Sequence, residues 1–203
     1  MVLSDRDILR FQKGDTPLIS PFDLSRLRSA SYDVTIDDEV TVLSEVAGVV
    51  NLSDQDKVDR IYTVNHGLEG FVLKPGQYCL VALGETIALP DNLIAQVIPR
   101  TRFTRLGLLV EPQYCNPSYT GRVRIGVLNA SGNIIQLEPK MSIAQIIFEK
   151  LESTPTETRL YRNQATAAYQ GEEAFVGAQT RSEMTEGARR IFDRLMAGLE
   201  AGA

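Results

Sequence analysis

The chain has 203 residues and a formal net charge of −5; 43% of its residues are hydrophobic and 23% are charged. These values fit one globular domain, or one domain with a tail, and the negative charge argues against a general nucleic-acid binder. Two cysteines and one histidine without metal-ligand spacing exclude a zinc site of the His/Cys/Cys kind, and the cysteines do not make a disulfide framework.

The first quarter of the chain predicts one short helix followed by short strands. Ser4 is a good N-cap and acidic residues follow it, so a helix is predicted over residues 4–9. Extended, alternating or apolar runs then predict strands at 18–22, 32–36, 40–43 and 46–52. The polar and charged stretch 51–60 predicts a surface loop.

The middle of the chain continues as strands separated by glycine and proline turns. Strands are predicted at 70–73, 78–83, 87–89, 93–98, 122–128, 134–137 and 143–149. Many short strands at this spacing predict an all-β sandwich or barrel.

The sequence changes character after residue 151. Residues 152–158 are a polar linker, and apolar residues return at helical spacing over 182–199, which predicts an amphipathic C-terminal helix. We therefore divide the chain into a β-barrel domain over 1–151, an arm over 152–181 and a helical segment over 182–203. The start lacks an apolar segment and no apolar run approaches ~18 residues, so we expect a soluble, cytoplasmic protein without a membrane partner.

Three arginines lie close together in residues 100–108, which read Arg-Thr-Arg-Phe-Thr-Arg-Leu-Gly-Leu. Residues 116–129 follow with further hydroxyls and the turn residues Pro117 and Gly121. Guanidinium groups present forked donors that match phosphate oxygens, so this span predicts a site for a polyanionic small molecule. The alternative for Arg100 and Arg105 is a structural ion pair at a subunit interface.

Several segments resemble, in order along the chain, the dCTP deaminase family, which is related to trimeric dUTPases. They are the opening helix, Leu-Lys-Pro-Gly at 73–76, the arginine-rich motif at 100–108, Tyr-Thr-Gly at 119–121, Leu-Asn at 128–129 and Tyr-Gln-Gly at 169–171. The likeness covers about residues 1–175, and the ordered series is far more specific than any one segment.

The resemblance implies a distorted jelly-roll β-barrel that assembles as a homotrimer. Its active sites lie between subunits, and a C-terminal arm closes over the ligand. It implies a deoxypyrimidine nucleotide as the ligand, with Mg²⁺ bound through the triphosphate and without zinc. Nucleic acid is not an expected partner.

The resemblance also supplies candidate site residues. The candidate ligand-binding residues are Arg100, Arg102, Tyr119, Gly126, Tyr169 and Gln170. The candidate catalytic residues are Thr101, Arg105, Glu111 and Asn116, and no residue is a candidate metal ligand. Tyr119 either stacks on a deoxyribose or belongs to the core.

Five positions depart from the family pattern where contact with ligand is expected. Gly126 stands in place of the glutamate that serves deaminases as general acid and base, and Asn116 in place of the aspartate of dUTPases. Arg102 replaces a serine, Ala168 a lysine and Glu172 a glutamine. Positioned acid–base catalysis is worth ~10²–10⁴-fold, so these departures predict a family scaffold whose standard deaminase chemistry is lost.

Two other functions remain open at this point. Glu111 is a candidate substitute base, and with it the chain would be an active dCTP deaminase or dUTP pyrophosphatase. Alternatively, the C-terminal helix is a contact surface for a partner protein.

Overall fold

The computed structural model describes residues 1–180 of the chain. Its helices and strands are, in chain order, α1 (Asp5–Gln12), β1 (Ile19–Ser20), β2 (Tyr32–Val34), β3 (Ile36–Leu43), α2 (Gln55–Asp59), β4 (Tyr62–His66), β5 (Val72–Leu73), β6 (Tyr78–Ala88), β7 (Leu93–Pro99), α3 (Thr101–Thr104), β8 (Leu108–Val110), β9 (Gln113–Cys115), β10 (Thr120–Asn129), β11 (Ile135–Gln136) and β12 (Ala144–Lys150). Short 3₁₀ turns lie at Leu24–Arg26, Glu157–Arg159 and Tyr161–Asn163. The predicted all-β class is confirmed, and the helix predicted over 182–199 lies outside the described residues.

The strands form two main antiparallel sheets and one small pair. The larger sheet has the order β4-β3-β6-β10-β8, with β1 also paired to β6. The smaller sheet has the order β2-β12-β7-β9, and β5 pairs with β11. Alternate residues of the long strands β6, β7 and β12 are buried, as expected when one face of a sheet packs on a core.

The chain divides into two units, and the larger comprises residues 1–42 and 64–175. Its core is built from fully buried apolar side chains of both main sheets, such as Tyr32, Leu83 and Phe148. Cys79 and Cys115 belong to this core as small apolar residues, and burial raises the pKa of both thiols to about 12. Helix α1 begins as predicted, because Ser4 and Asp7 form a capping box.

One ion pair lies deep in this unit. Glu85 on β6 is 1% exposed and accepts hydrogen bonds from the Thr35 backbone N–H and hydroxyl, both at 2.9 Å. Arg26 donates to the same carboxylate at 3.0 Å. Burial raises the pKa of Glu85 above its usual value, against the lowering by Thr35 and Arg26.

The second unit comprises residues 43–63 and 176–203, of which 43–63 and 176–180 are described. It corrects two predictions. Residues 46–52 form no strand, and Val49 and Leu52 are exposed. The predicted loop 51–60 contains α2, because the Asp54 carboxylate caps the helix by accepting from the Lys57 N–H.

Three strands were missed by the sequence pattern: β4, β8 and β9. β8 and β9 have three residues each, too few to show alternation. Among the described residues, no helix has the length and apolar character needed to cross a membrane.

Candidate functional site

The arginine-rich motif folds into a hook at the end of β7. Pro99 is the last residue of β7 and pairs with Ala144 of β12, and the Arg100 N–H still donates to the Ile143 carbonyl at 3.1 Å. The chain then makes the single turn α3, which Arg105 closes. Gly107 has a φ of +84° and passes so close to Ser131 that a Cβ would lie 2.8 Å from the serine Cβ. The glycine therefore lets the chain leave the hook and enter β8.

The hook forms one wall of an open cleft of about 520 Å³, called here the arginine cleft. Its lining residues lie on or next to strands β2, β7 and β12 of the four-stranded sheet. They are Arg28, Asp33, Arg100, Thr101, Arg102, Arg105 and Gln145. Four guanidinium groups thus meet one carboxylate. The structure brings together four of the predicted site residues, namely Arg100, Thr101, Arg102 and Arg105.

Asp33 organises the inner side of the arginine cleft. Its side chain is 3% exposed, and it accepts from Arg28 Nε and Nη2 at 2.9 and 2.7 Å. Arg100 Nη2 lies 3.1 Å from the same carboxylate, while Arg100 Nη1 donates to the Ser142 carbonyl at 3.0 Å. Burial lowers the pKa of Arg100; Asp33 opposes this, and Arg102 and Arg28 lower it further. The positive charges therefore repel one another inside the cleft.

Arg102 and Arg105 line the outer side of the cleft from the exposed face of the hook. Within residues 1–180, no carboxylate lies within ion-pairing distance of either guanidinium. Their donors face the cleft rather than an internal partner. This arrangement suits an anionic ligand.

Gly126 lies on the larger sheet, on strand β10, and does not line the arginine cleft. It pairs with Leu80 of β6, and Tyr78 stands two residues along the same strand, on the same face. A Cβ at position 126 would lie 2.7 Å from Tyr78 Cζ and even closer to the hydroxyl. The tyrosine ring therefore occupies the space that a side chain at this position would take.

Glu111 and Asn116 also lie away from the arginine cleft. The Glu111 N–H donates to the Gly126 carbonyl at 2.8 Å, which places Glu111, the residue after β8, directly across from Gly126. Residues opposite each other in an antiparallel pair share a face, and Glu111 is exposed. Asn116 begins the turn into β10, where its carbonyl accepts from the Tyr119 N–H at 3.1 Å.

Tyr119 is a core residue, 6% exposed. Its ring packs against Tyr161 with centroids 5.9 Å apart. Burial raises the pKa of its hydroxyl. The tyrosine anchors the turn at Gly121 instead of facing the arginine cleft.

The arm residues Tyr169 and Gln170 pack on the start of β10. The Gln170 amide accepts from the Thr120 N–H at 3.3 Å and donates to the Ser118 carbonyl at 3.2 Å. The Tyr169 N–H donates to the Tyr161 hydroxyl at 3.3 Å. Neither residue lines the arginine cleft of the same chain.

Arg124 of β10 contacts the arm. Arg124 is 6% exposed, and its guanidinium contacts the Glu172 carboxylate at 2.9 Å and the Glu39 carboxylate at 2.8 Å. It also lies over the Phe175 ring, 5.6 Å from the centroid. The charge of Glu172, which stands where the resemblance expects a glutamine, is therefore neutralised by an arginine within the chain.

Sequence reasoning missed several residues that shape these sites. Arg28 and Gln145 line the arginine cleft but lie far from the motif along the chain, so no local pattern marks them as site residues. Tyr78 was missed because only the register between β6 and β10 brings it over Gly126. The pairing of two arginines with Asp33 carries no local sequence signal either.

Comparison with known proteins identifies the relatives of this chain. The profile of the family described as "dCTP deaminase-like" matches residues 2–151. A "dCTP deaminase, dUMP-forming" of Persephonella marina is 29% identical over 173 residues, covering 85% of this chain and 93% of that protein. One of the same description from Beutenbergia cavernae is 32% identical over 176 residues, covering 85% and 91%.

A solved structure shows the same fold. The 2′-deoxycytidine 5′-triphosphate deaminase of Agrobacterium tumefaciens superimposes with a TM-score of 0.58 at 22% sequence identity. The superposition covers 72% of this chain and about half, 48%, of that one. The predicted dUTPase-like all-β fold is therefore confirmed.

Proposed function

Because this chain belongs to the dCTP deaminase-like family, we propose that it binds a pyrimidine deoxynucleotide without carrying out the family's standard deamination. The family places the chain in nucleotide metabolism. The arginine cleft retains the cationic groups that a nucleotide's phosphates require, as described above. The proton-transfer group is what the chain lacks.

The observation that carries this proposal is the pair formed by Gly126 and Tyr78. In the family resemblance, position 126 holds a glutamate that moves protons between water and the cytosine ring. Here the position has no side chain, and the Tyr78 ring fills the adjoining space. A tyrosine hydroxyl, unlike a carboxylate, is a poor proton acceptor at neutral pH.

The second route of the family, attack of water on the α-phosphate, also lacks its usual base. Asn116 stands where the resemblance expects an aspartate, and its carbonyl and amide cannot take a proton from water. Both reactions therefore lose the group that activates water.

The test measures binding and turnover separately. Isothermal titration with dCTP, dUTP and dTTP is expected to show binding. Incubation with dCTP or dUTP and Mg²⁺, followed by chromatography, is expected to show no dUTP or dUMP above the uncatalysed level.

The matched control is Arg105→Ala, purified in the same way. If the natural chain turns over a nucleotide and Arg105→Ala does not, the proposed loss of catalysis is overturned. Turnover that persists in the variant identifies a contaminating enzyme. Absence of binding by all three nucleotides would overturn the proposed function itself.

One observation favours an active enzyme as a second candidate. Glu111 lies across from Gly126 on the same face and is exposed, so its carboxylate is the acid nearest in sheet register to the missing glutamate. If the chain turns over dCTP or dUTP, Glu111→Gln is expected to reduce the rate by about 10²-fold or more. Unchanged turnover in that variant would remove Glu111 from the reaction.

We also propose that the chain is a homotrimer whose sites are completed between subunits. In the single chain, Gly126 and the arginine cleft lie on different sheets. Apolar side chains beside the hook and on β8 and β9 are exposed, namely Leu106, Leu109 and Tyr114. Light scattering is expected to give three times the chain mass of 22.5 kDa, and a monomer would overturn the assembly.

A further inference from the structure

The arginine cleft has more guanidinium groups than carboxylates to pair with them. It has four guanidinium groups and one carboxylate, so its formal charge is three positive units. Asp33 is already engaged by Arg28 and Arg100. Arg102 and Arg105 have no carboxylate within ion-pairing distance among residues 1–180.

The oxygen donors of the arginine cleft do not fit Mg²⁺. This ion binds through carboxylates and phosphate oxygens in near-octahedral geometry. The Asp33 carboxylate is taken by two guanidiniums, and Gln145 Oε1 accepts a hydrogen bond from the Ser31 hydroxyl at 3.1 Å. The Thr101 hydroxyl alone is a weak ligand. A further divalent charge here would add repulsion from four arginines.

The charge of the ligand also favours the metal-free form of the nucleotide. A free nucleoside triphosphate carries about four negative charges at neutral pH, and its Mg²⁺ complex about two, so three positive charges attract the free form about twice as strongly at the same distance. An anion bound between the guanidiniums also relieves their mutual repulsion, which contributes to the lowered pKa of Arg100.

We infer that the arginine cleft binds the polyphosphate group of its nucleotide in the metal-free form, with Arg102 supplying charge that Mg²⁺ would otherwise supply. The inference rests on the proposed nucleotide binding and deepens it. Arg102 stands where the family motif has a serine, so the change from hydroxyl to guanidinium alters the ionic form of the ligand that the cleft accepts.

The experiment is calorimetry at fixed ionic strength with two probes, inorganic tripolyphosphate and dUTP, each in EDTA and in excess MgCl₂. For the natural chain, binding in EDTA is expected to be tighter than binding in MgCl₂ by roughly tenfold. Tripolyphosphate is expected to show the same preference, because it has no base or sugar.

Two variants isolate the role of Arg102. Arg102→Ser is expected to weaken binding in EDTA by about tenfold or more and to lose the preference for the metal-free form. Arg122→Ser is the matched control, because Arg122 is an arginine of β10 that pairs with Asp37 and does not line the cleft. It is expected to behave as the natural chain does.

The outcomes separate the inference from the proposed function. Binding that requires Mg²⁺, or is tightened by it, overturns the metal-free form and leaves nucleotide binding in place. An unchanged preference in Arg102→Ser overturns the role of that residue. Absence of binding by both probes in both buffers overturns the inference, whereas the nucleotide function itself is overturned only if dCTP and dTTP also fail to bind.

Discussion

Arg102 and Arg105 of the hook and the two arginines of β10 come from neighbouring stretches of sequence, yet their guanidinium groups are engaged in different ways. Arg102 and Arg105 face an open cleft without carboxylate partners among the described residues. Arg122 pairs with Asp37, and Arg124 pairs with Glu39 and Glu172. Partners distant in sequence therefore decide whether an arginine serves a ligand or the fold.

The largest expected effect is on stability, at Arg124. Arg124→Ala is expected to lower the free energy of unfolding by about 3 kcal/mol, because it removes a buried guanidinium that pairs with two carboxylates of low exposure. Their side chains are 15% exposed for Glu39 and 5% for Glu172. Urea denaturation followed by circular dichroism measures the change.

Arg102→Ala is the control for that measurement. Its side chain is exposed and lacks a carboxylate partner within residues 1–180, so the expected change is within about 0.5 kcal/mol. Equal losses of stability in Arg124→Ala and Arg102→Ala would contradict the distinction between arginines that pair with carboxylates and arginines that do not.

The next effect is stabilisation by an anion. Tripolyphosphate in EDTA, at about 100 times its dissociation constant, is expected to stabilise the chain by about 2.7 kcal/mol. For a chain of this size, that raises the melting temperature by roughly 5–10 °C. Scanning fluorimetry is expected to show the shift in Arg122→Ala and to lose most of it in Arg105→Ala. A shift lost equally in both variants would place the anion outside the arginine cleft.

A smaller effect on stability concerns Glu85, the buried carboxylate that pairs with Arg26. The pKa of Glu85 is raised by burial in the folded protein, so folding favours its protonated form. This contribution to stability is fully present below about pH 4.5, the ordinary value, and is lost as the pH rises through the raised pKa. Glu85→Gln removes the titration.

The variant and the natural chain are expected to agree within about 1 kcal/mol at low pH, where both side chains are neutral. Above about pH 4.5, the natural chain is expected to lose stability relative to Glu85→Gln in urea denaturation. Glu138→Gln, at an exposed position, is the control and is expected to follow the natural chain. Parallel pH curves for Glu85→Gln and the natural chain would show that Glu85 titrates normally.

The sequence allowed the fold class and the grouping of Arg100, Arg102 and Arg105 to be predicted, because both depend on local signals. Alternating runs between turn residues marked most of the strands, and Ser4 marked the first helix. The pairing of strands is not local. The position of Tyr78 over Gly126 follows from the register between β6 and β10, and a shift of one residue would turn Tyr78 to the other face.

The candidate site was predictable only in part for the same reason. Arg100, Thr101, Arg102 and Arg105 share one turn and were bound to lie together. Asp33 joins them because β2 pairs with β12, which in turn pairs with β7. Glu172 meets Arg124 because the arm returns to the start of β10, a contact that no spacing in the sequence indicates.

The smallest expected effect is at Asp37, the partner of Arg122. The Asp37 side chain is 40% exposed and that of Arg122 is 20% exposed, so solvent screens this pair more than it screens Arg124 and its partners. Asp37→Asn is expected to cost about 0.5 kcal/mol in unfolding free energy, and less at high salt. Combined with Arg124→Ala, the two losses are expected to add if the pairs are independent. A combined loss well below the sum would mean that the β10 arginines and their three carboxylates act as one network. The contrast would then be between that network and Arg102 and Arg105, which have no carboxylate partner among the described residues.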